Sequence, residues 1–260
     1  MKVVDADKST SYMWLYATGA DSPDANIPGS TIPNIVLYDY HNSRAGQCAV
    51  DFLNGYNGYL QVDGYVGYEQ TQATLVGCWA HARRKFVEAK KGAGNKGSGK
   101  ADWALNHIQK LYRIETQLKD SSAEQRYAIR QEKSLPLLNQ LHTWLTKSAQ
   151  QVLPKSKLGE AIQYCLNQWH KLERYILNGQ LSIDNNRAER AIKPFVIGRK
   201  NWLFSQTATG ANASAVLYSI IETAKANDLN VFEYVMKSLE LLSQPETEIK
   251  LLLPWQFTKD

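Results

Sequence analysis

The sequence predicts an α/β protein with a mixed sheet flanked by helices and interrupted by an all-helical insertion. Three observations carry that prediction. Short runs rich in aromatic and β-branched residues recur between residues 11 and 80 and have the length and composition of strands. Apolar residues at helical spacing lie between these runs and take over entirely from residue 101 to residue 180. A basic, glycine-rich stretch at residues 90–100, Lys-Lys-Gly-Ala-Gly-Asn-Lys-Gly-Ser-Gly-Lys, separates the two patterns and reads as a flexible linker.

Residues 11–17 (Ser-Tyr-Met-Trp-Leu-Tyr-Ala) and 34–40 (Asn-Ile-Val-Leu-Tyr-Asp-Tyr) are expected to be adjacent antiparallel strands, with Pro23, Pro28, Gly29 and Pro33 in the loop between them. Ala49, Phe52 and Leu53 give residues 46–56 helical spacing, and residues 58–65 form a short strand that ends at Asp63 and Gly64. Residues 76–80 are expected to be a further strand, running into a basic helix from His81. In the helical block, residues 103–118 and 137–145 have helical spacing, and Leu158, Ile162, Cys165, Trp169, Leu172 and Ile176 alternate by four and three. Fewer than three heptads of that alternation favour packing within the molecule over a coiled coil. Residues 185–192 begin another helix, and a basic turn then leads into the apolar segment 201–205. Residues 213–227 are helical with Val216, Leu217, Ile220 and Ala224 on one face, residues 230–242 make a last helix, and Leu252 to Trp255 dock as a tail.

At 260 residues, 43% hydrophobic and 21% charged, the chain is long enough to bury a core without disulfides or a structural metal. Its three cysteines, Cys48, Cys78 and Cys165, form no CxxC pair, which argues against a secreted disulfide framework and for a reducing compartment. The first twenty residues lack the apolar core and cleavage site of a secretion signal, and no run approaches the roughly 18 apolar residues of a membrane span. A soluble, cytoplasmic protein with no membrane partner is the expectation. A net charge of +5 is a weak argument for a polyanionic partner; the placement of the charge says more.

Asp63 stands where a strand ends, the position from which open α/β sheets present ligands, and a carboxylate there can hold a divalent cation. Asp-Gly is also a common turn dipeptide. Glu189 lies in Asp184-Asn-Asn-Arg-Ala-Glu-Arg190 at a helix start, where Asn186 as N-cap and Glu189 three residues on would make a capping box. Against that reading, Arg187, Arg190, Lys193, Arg199 and Lys200 form a basic cluster around the acid, as a phosphodiester substrate requires, although a solvated helical face has the same composition. Asp184 reads as the residue that starts the helix. Cys78 and His81 have the spacing of half a zinc site but lack a second pair, so Cys78 and Trp79 are assigned to the core, with Arg83, Arg84 and Lys85 facing an anion or solvent.

Taken together, residues 60–68 (Leu-Gln-Val-Asp-Gly-Tyr-Val-Gly-Tyr), 77–86 (Gly-Cys-Trp-Ala-His-Ala-Arg-Arg-Lys-Phe), 184–204 and 219–227 resemble the IS66 family of bacterial insertion-sequence transposases in order and spacing, over essentially the whole chain. The resemblance implies an RNase H-like fold in which two Asp and one Glu hold two Mg2+ (or Mn2+) ions for phosphodiester hydrolysis and strand transfer in DNA transposition, the chemistry of a DDE-type transposase. By motif position the second Asp is Asp63 and the Glu is Glu189. It implies DNA contacts by Arg83, Arg84, Lys85, Arg187, Arg190, Lys193, Arg199 and Lys200. It also divides the chain into a first part of the catalytic core at 1–90, a helical insertion at 101–180, the remainder of the core at 181–245 and a tail at 246–260. Insertion-sequence ends and target DNA, accessory proteins of the same element, further copies of the chain on DNA and nucleoid association in the cytoplasm are the implied partners and place.

The pattern departs from the family at its start. The first catalytic Asp belongs to an Asp-Glu-Thr-Pro motif that precedes the segment matched by residues 1–4, and Asp5 and Asp7 lie after that position, so neither is assigned to catalysis. The expectation is a carboxyl-terminal fragment that retains two of three metal ligands and lacks the family's upstream DNA-recognition regions. Two other readings follow from the same residues: a non-catalytic DNA-binding or regulatory remnant, and a nuclease-like domain that pairs with other subunits through its helical insertion.

Overall fold

The computed structural model describes residues 1–4, 10–92, 99–202 and 204–257. Asp5, Asp7 and residues 93–98 of the expected linker fall outside the described residues. In chain order the elements are β1 (Lys2–Val3), β2 (Tyr12–Thr18), β3 (Ile35–His41), α1 (Gly46–Phe52), β4 (Tyr59–Val62), β5 (Thr74–Gly77), α2 (Trp79–Gly92), α3 (Gly99–Gln117), α4 (Ala123–Ile129), α5 (Leu135–Ala149), α6 (Lys157–Leu172), α7 (Asn186–Ala191), α8 (Lys193–Trp202), β6 (Phe204–Ser205), α9 (Ala208–Ala226) and α10 (Val231–Leu242). The architecture is mixed α/β. In place of one mixed sheet, the described strands form three two-stranded ladders: β2 with β3 antiparallel, β1 with β6 parallel and β4 with β5 parallel. No described helix is long and apolar enough to cross a membrane.

The chain divides into two compact units, one of Met1–Asn26, Thr31–Cys48 and Asn186–Asp260, the other of Ile27–Ser30 and Ala49–Asn185. In the first, β2 and β3 pair from Tyr12 opposite His41 to Thr18 opposite Ile35, as the two aromatic runs predict. The outer edge of β3 is closed by a helix. Thr223 Oγ1 on α9 accepts the Val36 N–H (3.0 Å) and donates to the Val36 carbonyl (2.9 Å), and Ser219 Oγ accepts the Tyr38 N–H (2.8 Å). Hydroxyls four residues apart on a helix stand one above the other, so they can meet alternate backbone groups of a strand edge that would otherwise stay open.

That approach requires small side chains. Ala211, Ala215 and Ala226 are buried on α9 with Val36, Tyr38 and Phe195, whereas Val216, Leu217 and Ile220 are 58%, 59% and 39% exposed. The apolar face read from the sequence is therefore corrected: of that set only Ala224 is buried. Hydrogen bonding to β3 decides which side of α9 turns inward, and larger side chains would hold the backbones apart. The expected basic turn is likewise corrected, because residues 193–202 form α8. Pro194 occupies its first turn, where a missing N–H costs nothing and the ring's fixed φ suits the helix.

The second unit is built on α2, α3, α5 and α6 with β4 and β5. Ile162, Cys165, Trp169, Leu172 and Ile176 are all buried in its core and Leu158 packs against it, so the four-and-three alternation is a core stripe. The expected strand at 76–80 stops at Gly77, and Trp79 opens α2. A Cβ at Gly77 would lie 3.0 Å from the Leu172 N, so α6 crosses directly over the end of β5. Trp79 is fully buried, donates from its indole to the Leu172 carbonyl (2.8 Å) and meets Trp169 edge to face at 5.9 Å. Between α4 and α5 a π-helical turn, Arg130–Ser134, places the Arg130 guanidinium in the core. It donates to both Glu115 carboxylate oxygens (2.9 and 2.6 Å) and to the carbonyls of Tyr175, Asn178 and Leu181 (2.9 Å each), which is the full set of donors a guanidinium owns.

Two outcomes test these arrangements. Thr223→Val keeps the shape and removes both hydrogen bonds to Val36, and is expected to cost about 1–3 kcal/mol in urea denaturation, with Thr223→Ser recovering most of it. His107 is buried, stacks on Trp103 at 4.6 Å and hydrogen-bonds the Leu137 carbonyl; desolvation holds its pKa below the ordinary 6.5. The unfolded chain therefore takes up the proton first. Its contribution to stability is present above pH 6.5 and is lost as pH falls below that value. The urea midpoint should drop between pH 7.5 and 5.5, and less so in His107→Gln.

Candidate functional site

Asp63 follows β4 directly. Its carboxylate accepts the Tyr65 N–H (3.0 Å) while Gly64 takes φ +91°, so the Asp-Gly turn exists and the carboxylate helps to form it. The helical block reaches this turn. Tyr164 on α6 donates from its hydroxyl to the Asp63 carbonyl (3.3 Å), and a Cβ on Gly64 would come within 3.1 Å of that hydroxyl. Burial raises the Tyr164 phenol above its ordinary pKa, with smaller contributions from Cys165, Cys78 and Asp63, and so keeps it a donor. Arg83, Arg84 and Lys85 are exposed on α2, on the side away from buried Ala82 and Phe86.

A second tyrosine holds the segment that leads to α7. Tyr112 on α3 donates to Asp184 Oδ2 (2.9 Å), and its phenol is raised first by burial and then by the Asp184 charge. The Asn185 N–H points at Cys78 Sγ, 3.4 Å away. Asp184 is thus engaged by α3, two residues ahead of the helix it was expected to start, and Asn186 is the first residue of α7. Burial raises the Cys78 thiol, which keeps it protonated and in the core role assigned to it. Among the described residues no three His, Cys, Asp or Glu side chains are grouped to hold a metal ion. Tyr112 and Tyr164 escaped sequence reasoning; the one trace of Tyr164 there is its place beside Cys165, one position off the buried stripe.

In the other unit, Glu189 is half-buried in the first turn of α7, with Arg187 two residues before it and Arg190 one after. Arg190 donates to Asp21 Oδ2 from Nε (2.7 Å), with Nη2 2.5 Å from the same oxygen. Lys193, Arg199 and Lys200 are exposed on α8, whose buried anchor is Phe195. Asp21, read from the sequence only as part of a proline-punctuated loop, is the acid that faces this cluster. Its place is set by Asn34, which is buried, accepts the Ala20 N–H (2.7 Å) and donates to the Ala226 carbonyl (3.0 Å). Of the acids singled out in the sequence, Asp63 belongs to one compact unit and Glu189 to the other.

A family model described as the IS66 transposase family matches residues 1–213, and one described as the IS66 C-terminal element matches residues 219–255. The chain belongs to the IS66 transposase family. Among curated relatives, the Sinorhizobium fredii proteins y4hP, y4qI and y4jD are 35%, 33% and 32% identical to it over 96%, 96% and 97% of its length. Those alignments cover 48%, 48% and 51% of the relatives, so the chain spans about half their length. No solved structure matches it. Both IS66 matches cover the motifs from which the family was read: Asp63, the basic start of α2 and the Glu189 segment in the first, the end of α9 from Ser219 onward in the second.

Gly64→Ala tests the turn that carries Asp63. A side chain at φ +91° that also meets the Tyr164 hydroxyl is expected to lower stability by about 1–3 kcal/mol in urea denaturation. Relief by Tyr164→Phe should be small, because the backbone strain remains.

Proposed function

We propose that this IS66 chain acts in DNA transposition by binding DNA phosphates and by contributing Asp63 and Glu189 to metal-dependent phosphodiester chemistry of the DDE type. The observation that carries the reading is the α7–α8 segment. There a single acid, Glu189, is held in a helical turn among Arg187 and Arg190, and the helix that follows exposes Lys193, Arg199 and Lys200. Cations in that density suit a polyanion, and a carboxylate among them suits metal-assisted chemistry on a phosphodiester. Arg83, Arg84 and Lys85 on α2 offer a second exposed basic surface, in the unit that carries Asp63.

Carboxylate oxygens are hard donors that suit Mg2+ or Mn2+. Such an ion, when bound, polarises the phosphoryl group and activates the attacking hydroxyl. The donor chemistry of Asp63 and Glu189 fits it, and each acid is held within its own compact unit. The work assigned to the chain's own residues is accordingly to bind phosphates and to hold these two acids, Asp63 through its turn under Tyr164 and Glu189 in the first turn of α7. An RNase H-like core, insertion-sequence ends as the DNA, association of copies on that DNA and accessory proteins of the element belong to the same proposal. A second reading, DNA binding without cutting, rests on the same exposed basic residues and needs neither acid.

Two measurements decide. The triple variant Arg83→Ala, Arg84→Ala, Lys85→Ala is expected to weaken DNA binding and to reduce the slope of log affinity against log salt by about 0.9 for each phosphate no longer neutralised. Mg2+-dependent nicking of labelled linear DNA, if the chain cuts, should fall at least ~100-fold in Asp63→Asn and Glu189→Gln with binding retained. Metal-independent binding with no nicking by the unaltered chain selects the non-cutting reading.

A further inference from the structure

Arg130 and Arg187 are both withdrawn from solvent, and their surroundings differ completely. Every donor of Arg130 has an acceptor. The Arg187 side chain is 15% exposed, yet its Nε, Nη1 and Nη2 are each sealed from solvent with no hydrogen-bond partner among the described residues. Asp21 Oδ1 stands 3.8 Å from Nε, beyond hydrogen-bonding reach. Desolvation, opposed only in part by Asp21, brings the pKa of Arg187 down to about 10. A buried guanidinium whose hydrogen-bond donors all go unmet, with one carboxylate at ion-pair distance, is costly to keep.

Arg187 is one of the residues lining a cavity of about 180 Å3, with Val36, Ala191 and Ala226 as its apolar part and Asp21, Arg190, Glu222 and Lys225 as its charged part. The charged part is already paired within itself: Arg190 with Asp21 at 2.5 Å, Lys225 with Glu222 at 2.7 Å. What remains is one positive charge with a planar fork of unused donors. That fork matches the oxygens of a tetrahedral or planar oxyanion two at a time.

We infer that the cavity beside Arg187 is a binding site for a single phosphate group, and that Asp21 is a built-in competitor for it. The anion site rests on the geometry of Arg187; its assignment to a phosphate of a DNA strand rests on the proposed function. Asp21 is 46% exposed, so its carboxylate is free to turn outward, while its backbone is held by the Ala20 hydrogen bond to Asn34 and by Gly19 at φ +72°, where a Cβ would strike Asn34 Oδ1. Because the donors of Arg187 are closed off in this arrangement, a phosphate takes them only as the Asp21 carboxylate turns outward and leaves Arg190. Anions too weak to displace that carboxylate are kept out.

The test uses inorganic phosphate first and a short single-stranded oligonucleotide second, at matched ionic strength. Phosphate should raise the Tm of the unaltered chain. Arg187→Met should abolish that response while leaving the unliganded Tm unchanged or higher, because no hydrogen bond is lost with the guanidinium. Asp21→Asn should tighten phosphate binding about tenfold or more, since it removes a competing charge. An Arg187→Met chain that unfolds, or that melts several degrees lower and keeps the phosphate response, overturns the site and makes Arg187 a structural partner of Asp21. With the oligonucleotide, a loss of at least tenfold in affinity in Arg187→Met supports DNA as the source of the phosphate. A phosphate response with oligonucleotide affinity unchanged in that variant overturns the DNA assignment and supports a free phosphate. A phosphate response in a chain that binds no DNA overturns the proposed function and leaves the anion site standing.

Discussion

Two hydroxyls on α9, Ser219 and Thr223, take the backbone groups of β3 that a neighbouring strand would otherwise take. Much of the first unit depends on that substitution. It brings the helix backbone against the strand, admits only alanines beside them, and fixes the end of α9 so that the Ala226 carbonyl meets Asn34. Asn34 in turn holds Ala20, and with it Asp21, opposite α7. Tyr38, on the same strand, donates its hydroxyl to the Ala191 carbonyl at the end of α7. The position of the arginine-rich helix is thus inherited from a strand edge through a chain of buried polar contacts, and each would be expensive to leave unmade.

The second unit solves a related problem with tyrosines. The helical block is more than a spacer between motifs, because α3 and α6 each send a phenol to a segment of functional interest: Tyr112 to Asp184, Tyr164 to the Asp63 turn. Burial keeps both phenols protonated, so they act as fixed donors at any physiological pH. Arg130 shows how the same unit treats a structural charge, surrounding it with acceptors until no donor is left over. The surplus donors of Arg187 in the first unit are informative against that background, since this protein demonstrably can saturate a buried guanidinium.

What the sequence determined by itself was local or contiguous. The β2–β3 pair was legible because its aromatic runs and the prolines between them are near neighbours in the chain; the α6 stripe was legible because its period repeats without interruption from Leu158 to Ile176. The motifs that contain Asp63, Glu189 and the basic clusters were legible for the same reason, each being a continuous stretch within the two family matches. Tertiary structure alone decided the rest. Which face of α9 is buried depended on hydrogen bonds to a strand some 180 residues away, and those outweighed the larger apolar side chains of Val216, Leu217 and Ile220. The proline and basic residues at 193–200 resembled a turn until packing of Phe195 showed a helix with its proline harmlessly in the first turn. Asp21, Tyr112 and Tyr164 carry no local signal, because an acid in a loop or a tyrosine on a helix acquires a role only from the group that folding sets beside it. Partner choice for polar groups is a matter of distances in space, and spacing along the chain encodes those distances only within a single turn or strand.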